Sequence, residues 1–360
     1  MAYPFTDDHD MIREAARSWL SDWYESGKGP EAVYQSGQGY DPDAWASFAG
    51  ELGMAGIAIN EAYGGADLGD LGRVVVMEEL GASLCSLPFF TTGGIVADLI
   101  AAVGTEEVKT DLLGRITRGE LSAAYCDGHD ALQEKDGTLS GAVKQVVFAA
   151  HADMIFMSVR QGGAIKIIAL LCDAQGLTIT PHMTLDPTRS FADVSLENVA
   201  ISDITIIGEI SETDLQNIIA TSFIALAAEC VGGAQKCLDI TLEYTGQRVQ
   251  FDRPIAGFQA VKHRCADMFI AIEAARSAVY GAAIADADEK VEAALIAKAV
   301  ASEMFFKVAG DAIQMHGGIG FTWEYPLHYF FKRARANMTM FGTASRDYER
   351  LAGQIFGEVA

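Results

Sequence analysis

The sequence predicts a mainly α protein with a β domain inserted between two helical regions. Apolar residues recur at helical spacing in 1–118 and in 211–360, whereas 119–210 holds short β-type runs separated by Gly, Asp and Asn. A chain of 360 residues is too long for one simple core. We therefore expect an N-terminal helical domain, a middle β domain (barrel or sandwich) and a C-terminal four-helix bundle, with these boundaries.

Individual elements follow from the same patterns. Thr6 is the expected N-cap of the first helix, because Asp7 and Asp8 follow it and apolar residues then recur at helical spacing. The β-type runs of the middle region are 143–149, 154–159, 165–172, 177–179 and 194–199. The last region predicts long amphipathic helices at 215–246, 257–284, 289–316 and 344–355, joined by short links as in an antiparallel bundle.

The composition excludes several function classes. A formal net charge of −23, from 49 acidic and 26 basic residues, argues against binding to nucleic acid or to an anionic membrane surface. The N-terminus MAYPFTDDHD lacks the basic start and apolar core of a signal peptide. We see no apolar run of about 20 residues. We therefore expect a cytoplasmic protein without a membrane span.

Cysteine and histidine spacing predicts neither disulfides nor a metal site. The six cysteines lie mostly in apolar runs and form no CxxC pair, which favours reduced, buried thiols. The histidines are scattered, without metal-ligand spacing. No nucleophile elbow, P-loop or dinucleotide Gly-x-Gly-x-x-Gly motif is present either.

Two segments contain residue types that suit the binding of a nucleotide cofactor. Residues 248–259, RVQFDRPIAGFQ, place a cation, an aromatic ring and an amide at a break between two helices, and residues 314–318, QMHGG, end a helix on two glycines. Cations and backbone N–H groups at helix ends suit a pyrophosphate. We interpret the segments as one half of a flavin nucleotide site. Taken singly, Arg248 also fits a solvated cation, and Gly317-Gly318 an ordinary helix C-cap.

Longer motifs resemble one family over essentially the whole chain. These are LGMAGIAINEAYGG, EELGASLCSLPF, LDPTRSFADVSLENV, RVQFDRPIAGFQAVKHRCADM and QMHGGIGFTWEYPLHYFFKRA, which together resemble the acyl-CoA dehydrogenases. The resemblance implies that family's fold, with FAD at a subunit interface of a homotetramer or dimer of dimers. It implies that Arg248 meets the pyrophosphate and that the following residues meet other parts of the cofactor: Phe251, Gln259, Gln314, Gly317, Gly318 and Thr343.

The segment that holds the flavin ring in this family differs here. The family carries a Thr-Glu-Pro-x-x-Gly-Ser-Asp loop, whereas residues 125–137 of this chain read YCDGHDALQEKDG. The family's Trp-Ile-Thr strand corresponds to residues 147–149, Val-Phe-Ala, which lack the hydroxyl. We interpret Phe148 as a core residue.

The catalytic base of the family is also missing. A Tyr-Glu-Gly-Thr motif supplies a glutamate in most members, and Phe341 occupies its place here; in other members the glutamate lies in the first bundle helix, at the position of Ser222. Neither side chain is a competent base on its own. Glu229, Glu324 and Glu349 have structural or solvent-facing explanations, so we predict no catalytic residue in this chain.

The leading hypothesis combines these observations. The chain resembles the non-catalytic subunit of an α2β2 acyl-CoA dehydrogenase that completes the FAD site of a second dehydrogenase-like subunit. The resemblance implies α,β-dehydrogenation of an acyl-CoA thioester, possibly bulky and steroid-like, and electron transfer to an electron-transfer flavoprotein. Two alternatives stay open: a self-sufficient homomeric dehydrogenase with a relocated base, and a flavin-free scaffold or acyl-CoA-binding protein.

Overall fold

The computed structural model describes residues 4–36 and 40–356. Its α-helices are α1 (Asp7–Trp23), α2 (Pro30–Ser36), α3 (Pro42–Trp45), α4 (Gly69–Ser83), α5 (Ala97–Val103), α6 (Glu106–Val108), α7 (Gly114–Thr117), α8 (Glu212–Gln247), α9 (Gln259–Ala283), α10 (Lys290–His316), α11 (Leu327–Asn337) and α12 (Ala344–Phe356). Thr6 is the N-cap of α1, as predicted, and its backbone N–H donates to Nδ1 of His9 over 3.1 Å.

Eight of the described strands form two four-stranded sheets in the middle of the chain. They are β1 (Ala123–Asp127), β2 (Leu132–Lys135), β3 (Thr138–Val147), β4 (Met154–Gln161), β5 (Ala164–Leu171), β6 (Leu177–Pro181), β7 (Phe191–Ala200) and β8 (Thr205–Ile210). The strand orders are β1-β4-β5-β8 and β2-β3-β7-β6. A small hairpin, β9 (Val249–Gln250) and β10 (Arg253–Pro254), follows α8.

The two sheets enclose one apolar core. Its fully buried members come from strands of both sheets, as expected where alternate residues of each strand face inward. They include Ala124, Ile155, Met157, Ile168 and Leu170 from one sheet and Leu132, Leu139, Val146, Ala192, Val194 and Leu196 from the other. The β domain is therefore a sandwich, and the predicted fold class, helical, β and helical in chain order, is confirmed.

Three strands of the two sheets, β1, β2 and β8, were not predicted from the sequence, and neither was the β9–β10 hairpin. In β1 the first four residues are buried, so the run Ala-Ala-Tyr-Cys shows no alternation of apolar and polar residues. The strand β2 has one buried residue, and β8 is interrupted by Gly208. A strand without a two-residue period lacks the signal on which the prediction depended.

Besides the β9–β10 hairpin, the C-terminal region contains one helix that was not predicted. Helices α8, α9, α10 and α12 match the predicted ones, but α11 adds another helix, which packs on α10. Its start is marked by Pro326 as N-cap. The apolar residues Leu327, Phe330 and Ala334 then follow at helical spacing.

Helix α8 is more apolar than the sequence analysis recognised. By length and composition alone it meets the criterion for a membrane-crossing helix, with a mean hydropathy of 1.5 over 18 residues. The expectation that no stretch of this kind exists is therefore wrong. However, 83% of that window is buried inside the protein, as in the core helix of a folded domain.

By its internal contacts the chain divides into two compact units. One comprises residues 1–30, 74–85 and 223–360, and the other 31–73 and 86–222. In the first unit, Arg13 on α1 donates to Glu78 on α4 over 2.7 Å. In the second, Trp45 donates its indole N–H to the carbonyl of Leu121 over 3.3 Å, and its ring is 2% exposed. The boundaries 1–118, 119–210 and 211–360 stay a prediction.

Candidate functional site

The segment after α8 folds into a tight two-residue hairpin. Arg253 pairs with Gln250 and Pro254 with Val249, so Phe251 and Asp252 form the turn. Both turn residues have positive φ, 53° and 61°. A turn of this kind matches the twist of the flanking strands but is strained for a bulky side chain. The Phe251 side chain is nevertheless 84% exposed, so the hairpin holds an aromatic ring toward solvent.

A cation and an aromatic ring fix the start of α9 beside this hairpin. The Arg253 guanidinium lies 4.0 Å from the centre of the Phe258 ring, and the Phe251 ring meets the same ring edge-on at 6.0 Å. Phe258 is the N-cap of α9 and provides no side-chain acceptor for the first turn. The exposed N–H groups of Gln259 and its neighbours are therefore open to an anion, which the positive end of the helix dipole favours.

The end of α10 presents a glycine pair. The Gly317 N–H donates to the carbonyl of Gln314, and Gly317 adopts φ 63° and ψ −141°, which only glycine adopts without strain. A Cβ built on Gly317 or on Gly318 would meet no atom within 4 Å. The absence of side chains at both positions leaves exposed backbone that another molecule can approach closely.

Stacked rings join the two segments. The His316 ring lies parallel to that of Tyr244, with centres 4.3 Å apart, and the Tyr244 hydroxyl donates to the His316 carbonyl over 3.4 Å. Tyr244 is one helical turn before Arg248, and His316 directly precedes Gly317. The sequence analysis gave neither residue a role. Aromatic residues just before both predicted segments were the available signal, but nothing in the sequence indicated that they touch.

All seven predicted cofactor residues are exposed: Arg248, Phe251, Gln259, Gln314, Gly317, Gly318 and Thr343. Residues 248–264 contain four Lys or Arg against one Asp, within a chain of net charge −23. The structure brings the 248–259 and 314–318 segments together through Tyr244 and His316, whereas Thr343 lies after α11, just before α12. The assignment of these residues to a cofactor stays a prediction.

These residues fit the diphosphate end of FAD. Arg248 is exposed and makes no side-chain hydrogen bond or ion pair with any described residue. It can therefore offer a planar, charged set of donors to a phosphate. The uncapped start of α9 supplies further N–H donors, and the open backbone at Gly317 and Gly318 allows close approach.

Neither position that carries the family glutamate holds a base. Phe341 has φ 57°, and its ring packs against the Phe223 ring with centres 5.6 Å apart. Ser222 is 4% exposed, and its hydroxyl donates to the carbonyl of Ile218 over 3.4 Å, within its own helix. A hydroxyl used in this way has no basic partner there to activate it.

The three glutamates considered as substitutes differ in their surroundings. Glu229 is 3% exposed, forms an ion pair with Arg333 and accepts from Nδ2 of Asn337 over 3.2 Å. The Glu229 carboxylate is thus already engaged by Arg333 and Asn337, and removing either partner would leave buried polar groups unpaired. Glu324 and Glu349 are exposed.

A buried ion pair lies next to Phe341. Lys298 donates to Oδ2 of Asp347 over 2.6 Å and to the carbonyl of Gly342 over 2.8 Å, and both side chains are almost completely buried. Burial lowers the pKa of Lys298 from its ordinary value, although the hydrogen bond to Asp347 opposes this shift. The pair therefore anchors the backbone that follows Phe341.

The segment at the usual place of the ring-binding loop makes hydrogen bonds within its own unit. The Tyr125 hydroxyl donates to Oγ of Ser158 over 3.1 Å, and Ser158 donates to Oδ1 of Asp127 over 2.6 Å. Nδ1 of His129 lies 2.6 Å from the same carboxylate oxygen. Phe148 is 5% exposed and meets the Tyr40 ring edge-on at 5.1 Å, in agreement with its interpretation as a core residue.

The arrangement of His, Cys, Asp and Glu residues bears on metal and disulfide sites, neither of which was predicted from the sequence. No group of three or more His, Cys, Asp or Glu residues there could hold a metal ion. The six cysteines are free thiols, and five of them are buried.

His328 should make the fold sensitive to acid. Its ring packs on Tyr329 and Trp323, and burial together with the charge of Lys332 lowers its pKa to about 4. The unfolded chain therefore binds the proton first as the pH falls below the ordinary value of 6.5, so stability is lost between there and about 4. We expect His328→Phe to make the urea midpoint less dependent on pH in this window; an equal slope in both proteins would contradict this.

Comparison with known proteins agrees with the geometry. The model of the acyl-CoA dehydrogenase N-terminal domain matches residues 6–120, and that of the C-terminal domain matches residues 216–355. The acyl-CoA dehydrogenase IpdE2 of Mycolicibacterium smegmatis is 32% identical over 98% of this chain and 100% of its own length. The acyl-CoA dehydrogenase FadE34 of Mycobacterium tuberculosis is 30% identical over 98% of this chain, which spans 48% of that protein.

A solved structure is also similar to this chain. A variant of the Tcur3481–Tcur3483 steroid ACAD is 28% identical, with a TM-score of 0.84 over 97% of this chain and 98% of the other. Two matching domain models, and a relative more than 30% identical over almost the full length, show that the chain belongs to the acyl-CoA dehydrogenase family.

Proposed function

We propose that this chain is the non-catalytic subunit of a heteromeric acyl-CoA dehydrogenase and completes the FAD site of a second, dehydrogenase-like subunit. The observation that carries the proposal is the contrast between two parts of the chain. The predicted diphosphate-binding residues are exposed and available, whereas the position of the base holds Phe341, packed on Phe223. A site that can bind the cofactor but has no proton acceptor cannot complete an acyl-CoA dehydrogenation alone.

The proposed reaction is the α,β-dehydrogenation of an acyl-CoA thioester. FAD, when bound, supplies the acceptor for the hydride that leaves the β-carbon, and a carboxylate of the partner subunit takes the α-proton. In this chain, Arg248 would neutralise phosphate charge. Gln259 and the start of α9 would add hydrogen bonds, and Gly317 and Gly318 would admit the nucleotide to the backbone. Electrons would leave to an electron-transfer flavoprotein.

The excess of Lys and Arg in residues 248–264 and the exposed aromatic rings support a protein partner at this surface. Phe251 is 84% exposed, Phe321 is 80% exposed and Trp323 is 59% exposed, and all three lie in or directly after the two site segments. Large exposed aromatic residues are enriched at protein interfaces. Similarity to the Tcur3481–Tcur3483 steroid ACAD supports a bulky, steroid-like acyl group, and a relative about twice as long as this chain agrees with two dehydrogenase-like parts acting together, as in the α2β2 arrangement that we propose. A cytoplasmic location belongs to the same proposal.

Replacing Arg248 by alanine tests the central residue. Co-expressed with the proposed second, dehydrogenase-like subunit, the wild-type chain should form a complex that contains FAD and oxidises an acyl-CoA. In the Arg248→Ala complex we expect the dissociation constant of FAD to rise at least about tenfold, because hydrogen bonds from a charged donor are lost. Flavin absorbance of the purified complex, titrated with FAD, measures the change. Arg248→Lys should give an intermediate value, since lysine retains the charge without the planar set of donors.

Arg335 provides the matched control. It is exposed on α11, outside both site segments, so Arg335→Ala should leave flavin content unchanged. If this chain alone bound FAD stoichiometrically and oxidised an acyl-CoA, the shared site would be wrong, and a self-sufficient enzyme with a relocated base would replace it. A colourless complex would instead favour the flavin-free scaffold.

A further inference from the structure

We propose that Tyr244, His316 and Tyr325 form a ring cluster that sets the position of Arg248 relative to Gly317 and Gly318, and that it does so only while His316 is neutral. The ring cluster would thus be a positioning device that makes FAD retention sensitive to acid. This inference rests on the proposed function and adds to it a residue set that determines how the two site segments are held.

The geometry of the ring cluster supports this role. Besides the parallel stack of Tyr244 and His316, the Tyr325 ring meets both edge-on, at 5.6 Å from Tyr244 and 5.0 Å from His316. Three aromatic rings in mutual contact resist sliding past one another. Tyr244 lies on α8, His316 ends α10 and Tyr325 follows the turn after the glycine pair. The cluster therefore joins three separate parts of the chain.

The connection from the cluster to the site is short and fixed. The Arg248 N–H donates to the carbonyl of Tyr244 over 2.8 Å, so the backbone of Arg248 moves with that residue. The Tyr244 hydroxyl binds the carbonyl of His316, directly before Gly317. A displacement of the Tyr244 or His316 backbone is therefore passed directly to Arg248 or to the glycine pair.

The protonation state of His316 follows from its hydrogen bonds. Its ring Nδ1 lies 2.8 Å from the carbonyl of Ala312, so Nδ1 carries the proton and donates. Nε2 is buried and has no hydrogen-bond partner among the described residues. A second proton would therefore create a buried cation with an unpaired N–H.

The titratable groups that face the imidazole from α8 and from the following turn are the phenols of Tyr244 and Tyr325. Neither is a carboxylate that would favour the cation. Burial lowers the pKa of His316 below its ordinary value of 6.5. The neutral, stacked state is thus progressively destabilised as the pH falls below 6.5, because the released chain takes up the proton more readily.

Four variants of the heteromeric complex test the ring cluster: Tyr244→Leu, Tyr244→Phe, His316→Phe and Arg248→Ala. Removing the ring in Tyr244→Leu should raise the FAD dissociation constant at pH 7.5 by about three- to tenfold, as expected for loss of aromatic contacts. Tyr244→Phe keeps the ring and loses only the hydroxyl, so a smaller rise is expected, and this variant serves if Tyr244→Leu fails to fold. Tyr348→Phe, on the exposed face of α12, is the matched control.

The pH profile separates positioning from a merely structural role. His316→Phe keeps an aromatic ring but cannot be protonated. Its FAD dissociation constant should rise less than that of wild type when the pH is lowered from 7.5 to below 6.5, because the ring at position 316 can no longer take up a proton. His328 is present in both proteins, so its titration cancels in the comparison.

The outcomes distinguish this inference from the proposed function. Unchanged FAD binding in Arg248→Ala would overturn the proposed function and the ring cluster with it. If Arg248→Ala weakens binding while both Tyr244 variants bind as wild type, or His316→Phe keeps the wild-type pH profile, the shared site stands and the ring cluster is wrong.

Discussion

Replacing Lys298 by methionine should lower the free energy of unfolding by about 3–5 kcal/mol, because it leaves a buried carboxylate without its counter-charge. The Asp347 side chain is 0% exposed, and its Oδ1 already lacks a hydrogen-bond partner among the described residues. Loss of Lys298 would remove the ion pair at Oδ2 and the hydrogen bond to the carbonyl of Gly342. Urea denaturation of the purified chain measures the effect.

The control for this prediction lies on the same helix. Lys307 is exposed on α10, so Lys307→Met should change stability by no more than about 0.5 kcal/mol. Replacing both partners, Lys298→Met with Asp347→Leu, should recover most of the loss, because no charge is then buried. A double variant as unstable as Lys298→Met would indicate that packing, and not the uncompensated carboxylate, causes the destabilisation.

Gly232→Ala should destabilise the fold by about 3 kcal/mol or more through a direct backbone collision. A Cβ at this position would lie 1.8 Å from the carbonyl oxygen of Glu78 and 2.6 Å from its carbonyl carbon. The contact is reciprocal, since a Cβ on Gly81 would lie 2.2 Å from the carbonyl oxygen of Glu229. Because both obstacles are backbone atoms, α4 and α8 would have to move apart along their contact.

Gly246 provides a control within the same helix. It is exposed on α8, and a Cβ there would meet no atom within 4 Å. Gly246→Ala should therefore stabilise the protein by about 0.5–1 kcal/mol, because alanine loses less conformational freedom in a helix. Equal urea midpoints for the two alanine variants would show that the close approach of α4 and α8 is not required.

The elements that were predicted correctly are those with a strong periodic signal. Helix α10 runs from Lys290 to His316, against a prediction of 289–316, because 27 residues repeat one apolar pattern before a glycine pair stops it. The strand β1 was missed, since burial of four consecutive residues removes the alternation that identifies a strand. Helix α11 was missed although Pro326 marks its start, because 11 residues repeat the apolar pattern over only about three turns.

The parts of the candidate site that consist of residues close together in sequence could be predicted, whereas contacts between residues far apart in sequence could not. The break between two helices at residues 248–259 and the glycine pair at residues 314–318 are local motifs, so both could be predicted, although the hairpin within the first segment was not. The stack of Tyr244 on His316 joins positions 72 residues apart, and the Lys298–Asp347 pair joins positions 49 apart. Contacts at such separations depend on tertiary packing, which a single sequence does not specify.

The two glycines at the end of α10 differ in why glycine is needed: folding requires it at Gly317, whereas only binding can require it at Gly318. At Gly317 a positive φ of 63° penalises every other residue, so folding alone is enough to preserve glycine there. Gly318 has neither a positive φ nor a neighbour within 4 Å of a built Cβ. Folding alone would therefore tolerate other residues at position 318. If substitution of Gly318 nevertheless impairs function, the cause is the loss of close approach by a ligand or partner at this surface.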